Sequence, residues 1–181
     1  MLHASDFFDL AQTDHAALFD DTTYVWEGIA RIAAYVQARL ATDLTPNVHT
    51  HDLHPLVALG DKPIYIGQDV TIAPTAYIEG PAIIMDGAKI GHGAYIRSNV
   101  VVARGAMIGH STEVKNSVFM ERAAAPHFSY IGDSLMGRHV NLGAGTKISN
   151  LPVNSAPDPV THKRPTIVLT IDGERYDTGL A

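Results

Sequence analysis

Ile66, Ile72, Ile78, Ile84, Ile90, Ile96, Val102, Ile108 and Val114 recur at intervals of six without a miss. From Ile72 onward, the residue two places earlier is small or β-branched: Val70, Ala76, Ala82, Ala88, Ala94, Val100, Ala106 and Thr112. Residues two apart on a strand point the same way, so each repeat sends one large and one compact side chain inward. Turn formers fill the spaces between, as in Met85-Asp86-Gly87, Gly91-His92-Gly93, Arg97-Ser98-Asn99 and Gly109-His110-Ser111. A short strand plus a turn every six residues has no partner of its own. Stacked coils supply one, and hexad periodicity is the mark of a β-helix. Three hexads per coil would stack Ile66, Ile84 and Val102 on one edge, Ile72, Ile90 and Ile108 on the second, and Ile78, Ile96 and Val114 on the third, with coils about 4.8 Å apart.

The period holds to about Met120, slips, and resumes at Tyr130, Met136, Leu142 and Ile148, with Ser134, Val140 and Thr146 as compact partners. Ten residues separate Met120 from Tyr130, one hexad plus four, so the spacing predicts an insertion that leaves the coil as a loop. Residues 1–60 read as an N-terminal helical segment and linker, 61–150 as the β-helix, and 151–181 as a loop excursion and hairpin. In the first segment Asp21, Thr22 and Thr23 offer N-cap choices. After them Val25, Trp26, Ile29, Ile32, Ala33, Val36 and Leu40 make one apolar stripe, which needs a covering surface from the β-helix or another subunit. In the last segment Pro152, Pro157, Pro159 and Pro165 mark the excursion. Residues 166–171 and 174–176 flank an Asp172-Gly173 turn, the pattern of a hairpin.

The chain has 181 residues, a formal net charge of −6 and no cysteine. The charge does not suit a nucleic-acid or anionic-membrane partner, so a phosphate site must be a local cluster of Arg and Lys. The cysteine count excludes a disulfide framework, a thiol nucleophile and a Cys-based zinc site. The N-terminus has neither the basic flank nor the apolar run of a signal peptide, and no stretch approaches the ~20 apolar residues of a membrane span; a cytoplasmic location is expected. His49, His51 and His54 could be read as a zinc triad, but they lie in a linker and no metal site is expected. His92 and His110 follow glycines at coil corners and read as solvent-facing turn residues.

The slip contains Ala125-Pro126-His127-Phe128-Ser129-Tyr130 and so puts one histidine on the expected loop. An imidazole suits a general base near neutral pH. By spacing alone, Arg97 and Lys115 read as solvated charges, Tyr130 as an inward residue, and Asn141 and Asn150 as turn residues. The motifs Glu113-Val-Lys115-Asn-Ser117, Ala125 to Asp133 (APHFSYIGD) and Asn141-Leu-Gly-Ala-Gly-Thr146, with Asn150, resemble the acetyltransferase domain of bifunctional N-acetylglucosamine-1-phosphate uridyltransferases. The chain is still more similar to archaeal-type sugar-1-phosphate nucleotidyltransferase/acetyltransferases and their stand-alone relatives. The resemblance covers roughly residues 64–180 and is strongest over 113–150.

That resemblance implies a left-handed β-helix and a homotrimer with sites between subunits. It implies acetyl transfer from acetyl-coenzyme A to the amine of an amino-sugar 1-phosphate, in nucleotide-sugar synthesis. By matched position His127 is the general base, and Arg97, Lys115 and Tyr130 hold the sugar phosphate. Glu113 contacts the sugar, and Asn141 and Asn150 bind the sugar and align the acetyl group. No residue is matched to the coenzyme. The sequence departs from the family pattern in three places. It has no nucleotidyltransferase domain. Ala156 stands where the family has a lysine, so Lys163 or Arg164 would substitute. The chain stops after Leu180, where relatives continue with coils that build much of the coenzyme groove. A non-catalytic trimeric module that binds a sugar phosphate or scaffolds a nucleotidyltransferase is the alternative expectation.

Overall fold

A computed structural model describes residues 2–48, 52–149 and 156–180. They form two compact units, Met1–Ile148 and Ser149–Ala181. The first is a parallel β-solenoid of about 5 turns carrying a single α-helix, Glu27–Thr42; the coils wind as the left-handed β-helix of hexapeptide repeats. The strand Ile64–Ile66 stacks on Ala82–Ile84, which stacks on Val100–Val102, in parallel register. Thr71–Ile72, Lys89–Ile90 and Met107–His110 form the second face. Tyr77–Ile78 and Tyr95–Ile96 belong to the third, which begins earlier than the hexads suggest: Ala58–Leu59, in the expected linker, already pairs with Tyr77–Ile78. The large inward residues Ile66, Ile78, Ile84, Ile90, Ile96, Val102, Ile108 and Val114 are all essentially inaccessible.

The slip in the period is not an ejected insertion. Ile84 pairs with Val102 18 residues on, but Val102 pairs with Phe119 and Phe119 with Met136, each 17 residues on. The coils have become one residue shorter. The loss falls at the corner between the third and first faces. Arg97, Ser98 and Asn99 span it between Ile96 and Val100, but only Lys115 and Asn116 lie between Val114 and Ser117, and only Gly132 and Asp133 between Ile131 and Ser134. Asn116 and Asp133 make the tighter bend with φ of 43° and 47°. Ser117 and Ser134, in the compact slots after it, donate to the carbonyls of Lys115 and Gly132 at 2.7 Å. The shift changes which residues face inward. Phe119, Ala125 and Ile131 are inside at 0% exposure, while Tyr130 points outward and is half-buried. His127 therefore lies on a regular strand, Ala124–His127, stacked in register on Met107–His110.

The first face has an apolar exterior as well as an apolar interior. Tyr65, Ile83, Val101, Val118 and Leu135 recur there, one per coil. Helix residues Ile32, Val36 and Leu40 bury against this surface, joined by Leu18 and Phe19 from the 3₁₀ turns before the helix. The apolar stripe is thus covered by its own β-helix, and each such side chain contributes roughly 1.5–3 kcal/mol by burial. Gly28 permits the close approach: a Cβ there would lie 2.7 Å from the Phe19 ring and 3.2 Å from Leu135. The helix starts at Glu27, later than the Asp21–Thr23 cap candidates suggest. Its Glu27 carboxylate reaches back to accept from the amides of Thr23 (2.7 Å) and Tyr24 (3.2 Å). In the second unit Val168–Ile171 and Glu174–Asp177 pair antiparallel across Asp172 and Gly173, both at positive φ, as the Asp-Gly turn requires.

His15 is fully buried beneath the helix, its Nδ1 2.8 Å from the Tyr35 hydroxyl. Arg39 donates to that hydroxyl at 2.6 Å, leaving the phenolic hydrogen for His15 Nδ1 and placing the neutral imidazole's own hydrogen on Nε2. Burial pushes its pKa down to about 4, outweighing the opposing pull of Glu121.

Two measurements check this architecture. In urea denaturation Ile131→Ala should lose about 2–5 kcal/mol, the range for a core Ile→Ala change, and Tyr130→Ala under about 1 kcal/mol; the reverse order would restore the longer-coil register. For His15 the unfolded chain takes up a proton near pH 6.5 and the folded chain only near 4. The stabilising neutral form is thus fully present above pH 7, and about 3 kcal/mol is lost as pH falls from 6.5 through 4. His15→Gln should flatten that part of the pH–stability curve; a slope unchanged from the native chain would count against a buried neutral imidazole.

Candidate functional site

The third face of the β-helix carries polar residues on its outer surface, while the second mixes Thr71, Lys89 and Asn141 with small and apolar residues such as Met107, Ala124 and Pro126. On the third face two outward columns run parallel to the solenoid axis. One holds Tyr77, Tyr95, Glu113 and Tyr130, and the other Glu79, Arg97, Lys115 and Gly132. Tyr77 and Tyr95 stack at 5.3 Å with their rings 11° apart. Arg97 Nη1 lies 2.9 Å from Glu113 Oε1, and Lys115 Nζ 3.2 Å from Asp133 Oδ2. Asn116 also donates to Asp133, at 2.7 Å. Glycine at 132 makes room for Tyr130, whose hydroxyl would lie 3.0 Å from a Cβ there. Gly132 pairs in register with Lys115, so the phenol and the ammonium share one patch.

Stacking makes the Arg97–Lys115 neighbourhood unusual. Adjacent coils sit about 4.8 Å apart, where two like charges repel by roughly 1 kcal/mol in water and more in a less polar setting. At the corner between the first and second faces, the charges alternate down the column: Asp86, Arg104, Glu121, Arg138. On the third face Arg97 lies directly above Lys115, and two cations share consecutive rungs. Each is drawn to a carboxylate of the next coil. Above them Glu79 gathers Lys62 (2.8 Å), Ser98 (2.9 Å) and Tyr95 (3.1 Å). Those hydrogen bonds, Lys62's first, hold its carboxyl below the usual range. Like charges on consecutive rungs do not by themselves favour stacking, and two positive groups at this spacing suit a dianion.

His127 sits at the edge where the second face turns into the third. Its exposed ring is 5.2 Å from that of His110 on the coil above, tilted by 59°. Phe128 lies 6.3 Å from His110. Arg97, Glu113, Lys115 and Tyr130 are thus brought onto one face, with His127 on its border. Asn141 is exposed on the second face, bridged to Ala124, and so lies on a different side of the coil from Arg97. Asn150, His49 and His51 lie outside the described residues. Lys163 and Arg164 belong to the second unit, with Asp158 and Thr161 beside them around one cleft. Asp133 and His110 were not singled out by motif. Column arithmetic finds both, since His110 is one short coil before His127 and Asp133 adjoins Gly132 below Lys115. Among the described residues, no group of three or more His, Cys, Asp or Glu side chains could hold a metal ion, and no helix is long and apolar enough to cross a membrane.

A stacked-coil β-helix of six-residue repeats defines the chain as a hexapeptide-repeat protein. Residues 78–172, more than half of the chain, match the model of the GMPPB C-terminal domain. The chain belongs to that family, a left-handed β-helix-like domain of sugar nucleotidyltransferase-related proteins. No curated protein matches it.

Because the Arg97–Glu113 and Lys115–Asp133 pairs are partly exposed, they contribute little to folding. Arg97→Ala and Lys115→Ala should each change unfolding free energy by less than about 1 kcal/mol. A larger loss in urea denaturation would make these cations structural.

Proposed function

We propose that this domain transfers an acetyl group from acetyl-coenzyme A to the amine of an amino-sugar 1-phosphate such as glucosamine 1-phosphate. One observation carries the reading: two stacked cations, Arg97 and Lys115, share a face with Tyr130 and Glu113, and His127 borders that face. The two cations bind the phosphate by charge-assisted hydrogen bonds, displacing part of their pairing with Glu113 and Asp133. The Tyr130 hydroxyl adds a donor, and Glu113 accepts from a sugar hydroxyl. The His127 imidazole takes a proton from the sugar amine as its nitrogen attacks the thioester carbonyl. The tetrahedral intermediate then expels the coenzyme thiolate, which is protonated to the thiol, and the product is the amide. Asn141 and Asn150 align the acetyl group from the neighbouring chain of a homotrimer, an arrangement suited to Asn141 lying on a different face from Arg97. The reaction needs no metal, and its place is cytoplasmic nucleotide-sugar synthesis.

Membership of a C-terminal domain family of sugar nucleotidyltransferase-related proteins favours a second reading. In it the same face binds a sugar phosphate or nucleotide sugar without acetyl transfer, and the trimer serves as a scaffold.

Coenzyme A thiol release with glucosamine 1-phosphate as acceptor separates the two. Catalysis predicts release that depends on the sugar phosphate and falls about 10²–10⁴-fold in His127→Ala, the range for loss of a general base. A folded chain that binds the sugar phosphate and releases no thiol would establish the second reading instead.

A further inference from the structure

A charged cleft lies at the corner between the first and second faces, at the opposite end of the second face from His127. It encloses about 380 Å³ and lies between the N-terminal segment, which contributes Gln12 and Asp14, and the corner residues Arg104, Glu121, Arg122 and Arg138. The alternating column accounts for most of these charges. Arg104 pairs with Asp14, and Arg138 Nε lies 3.8 Å from Glu121 Oε2, with its Nη1 bonded to Gln12. Glu121 Oε1 accepts from the Thr13 hydroxyl and the Asp14 amide. Asp86, also on the wall, accepts from the Gln68 amide.

The three arginines are matched in number by Asp14, Asp86 and Glu121, but Arg122 stands apart from the ion pairs. It is exposed, and among the described residues it has no acid partner. The column of this left-handed corner position runs Asp69, Gly87, Gly105, Arg122 and His139, so glycine fills it on the two coils directly above Arg122, whose φ is 60°. Those glycines leave the wall bare beside it. A Cβ at Gly87 would meet nothing within 4 Å, and one at Gly105 would meet only the Arg122 stem at 3.4 Å. Glu121 Oε2 and Arg138 Nε are buried and lie 3.8 Å apart, an ion pair without a hydrogen bond. An uncommitted guanidinium thus overlooks an open pocket with two further guanidiniums and with carboxylates around its rim.

We infer that this cleft is a second binding site, for a phosphorylated polyol such as a sugar phosphate, distinct from the face that carries Arg97 and Lys115. The phosphate takes Arg122 first and then competes with Asp14 for Arg104. The polyol hydroxyls donate to Asp14 and Asp86, which explains a mixed-sign wall better than a bare inorganic anion does. The volume suits a monosaccharide phosphate. Because Asp14 tethers the N-terminal segment to the β-helix through Arg104, occupancy also bears on that tether.

Isothermal titration with glucose 1-phosphate tests the site in a chain carrying Arg97→Ala and Lys115→Ala, which removes the cations of the other face. One saturable site is expected, with no heat from glucose alone. Adding Arg122→Gly, which restores the glycine of the two coils above and so favours folding, should weaken binding at least tenfold. Binding abolished by the first two substitutions, binding untouched by Arg122→Gly, or equal binding of glucose would each overturn the assignment. Acetyl transfer is not part of the readout, so the site stands or falls independently of the activity proposed for His127.

Discussion

Every coil of this protein depends on the coils above and below it for its hydrogen bonds and its apolar contacts. A two- or three-residue strand such as Thr71–Ile72 or Tyr77–Ile78 has no stability of its own. In the stack, its amides and carbonyls meet those of neighbouring coils, and its inward Ile or Val joins a column. This constraint fixes two side chains of each hexad and leaves the outward ones free. The three outer faces have diverged accordingly. One is apolar and is covered by the helix Glu27–Thr42, the third carries Tyr, Glu, Arg and Lys, and the second is mixed. The helix is therefore an integral layer of the first unit, and the uncovered faces are where chemistry is available.

The one-residue shortening shows how tolerant this constraint is. Removing a residue at one corner, in two successive coils, leaves every inward column intact, because the tighter bend keeps both flanking strands in register. Left-handed Asn116 and Asp133 make the bend, and the Ser117 and Ser134 hydroxyls bond the carbonyls just before it. The shortened corner is also the one that carries Lys115 and its partner Asp133. A compact corner brings the Lys115 ammonium and the Tyr130 ring over the same small residue, Gly132. The departure from the ideal repeat thus coincides with the face proposed to bind the sugar phosphate.

The fold was legible because its signal is repeated. Nine hexad hits define the coil, and Asp172-Gly173 defines the hairpin. Apolar spacing put Met136, Leu142 and Ile148 inside, as they are, but missed the step between them and the earlier hexads, because Met120 and Tyr130 are plausible inward residues one place from the real ones, Phe119 and Ile131. Serines 117, 129 and 134 were the available clue, since each holds a compact inward slot. The covering of the first face was also readable in principle. Positions 65, 83, 101, 118 and 135 are all apolar, whereas the corresponding outward positions of the third face hold Tyr, Glu and Lys. The motif resemblance brought His127, Arg97, Lys115, Glu113 and Tyr130 forward from an uninformative background of single residues. The His110 ring beside His127 and the Asp133 anchor of Lys115 needed the coil length, and so needed the structure.

Charge in a stacked repeat obeys a rule that makes its exceptions informative. Residues in one column repeat at about 4.8 Å, so a column of like charges would strain the stack and a column of alternating charges would support it. The corner of Asp86, Arg104, Glu121 and Arg138 follows the rule and needs no ligand to explain it. Arg97 above Lys115 breaks it, and each cation draws a carboxylate from outside its own column. Arg122 differs again: it follows two glycines in its column and has no acid partner among the described residues. Stability alone would favour alternation in the first case and glycine in the second. Both exceptions are positive, both lie on open surface, and the chain as a whole is negative, with a formal net charge of −6. Cations placed against the stacking rule, on open surface, are groups that an anionic ligand can take up in a fold otherwise built to repeat.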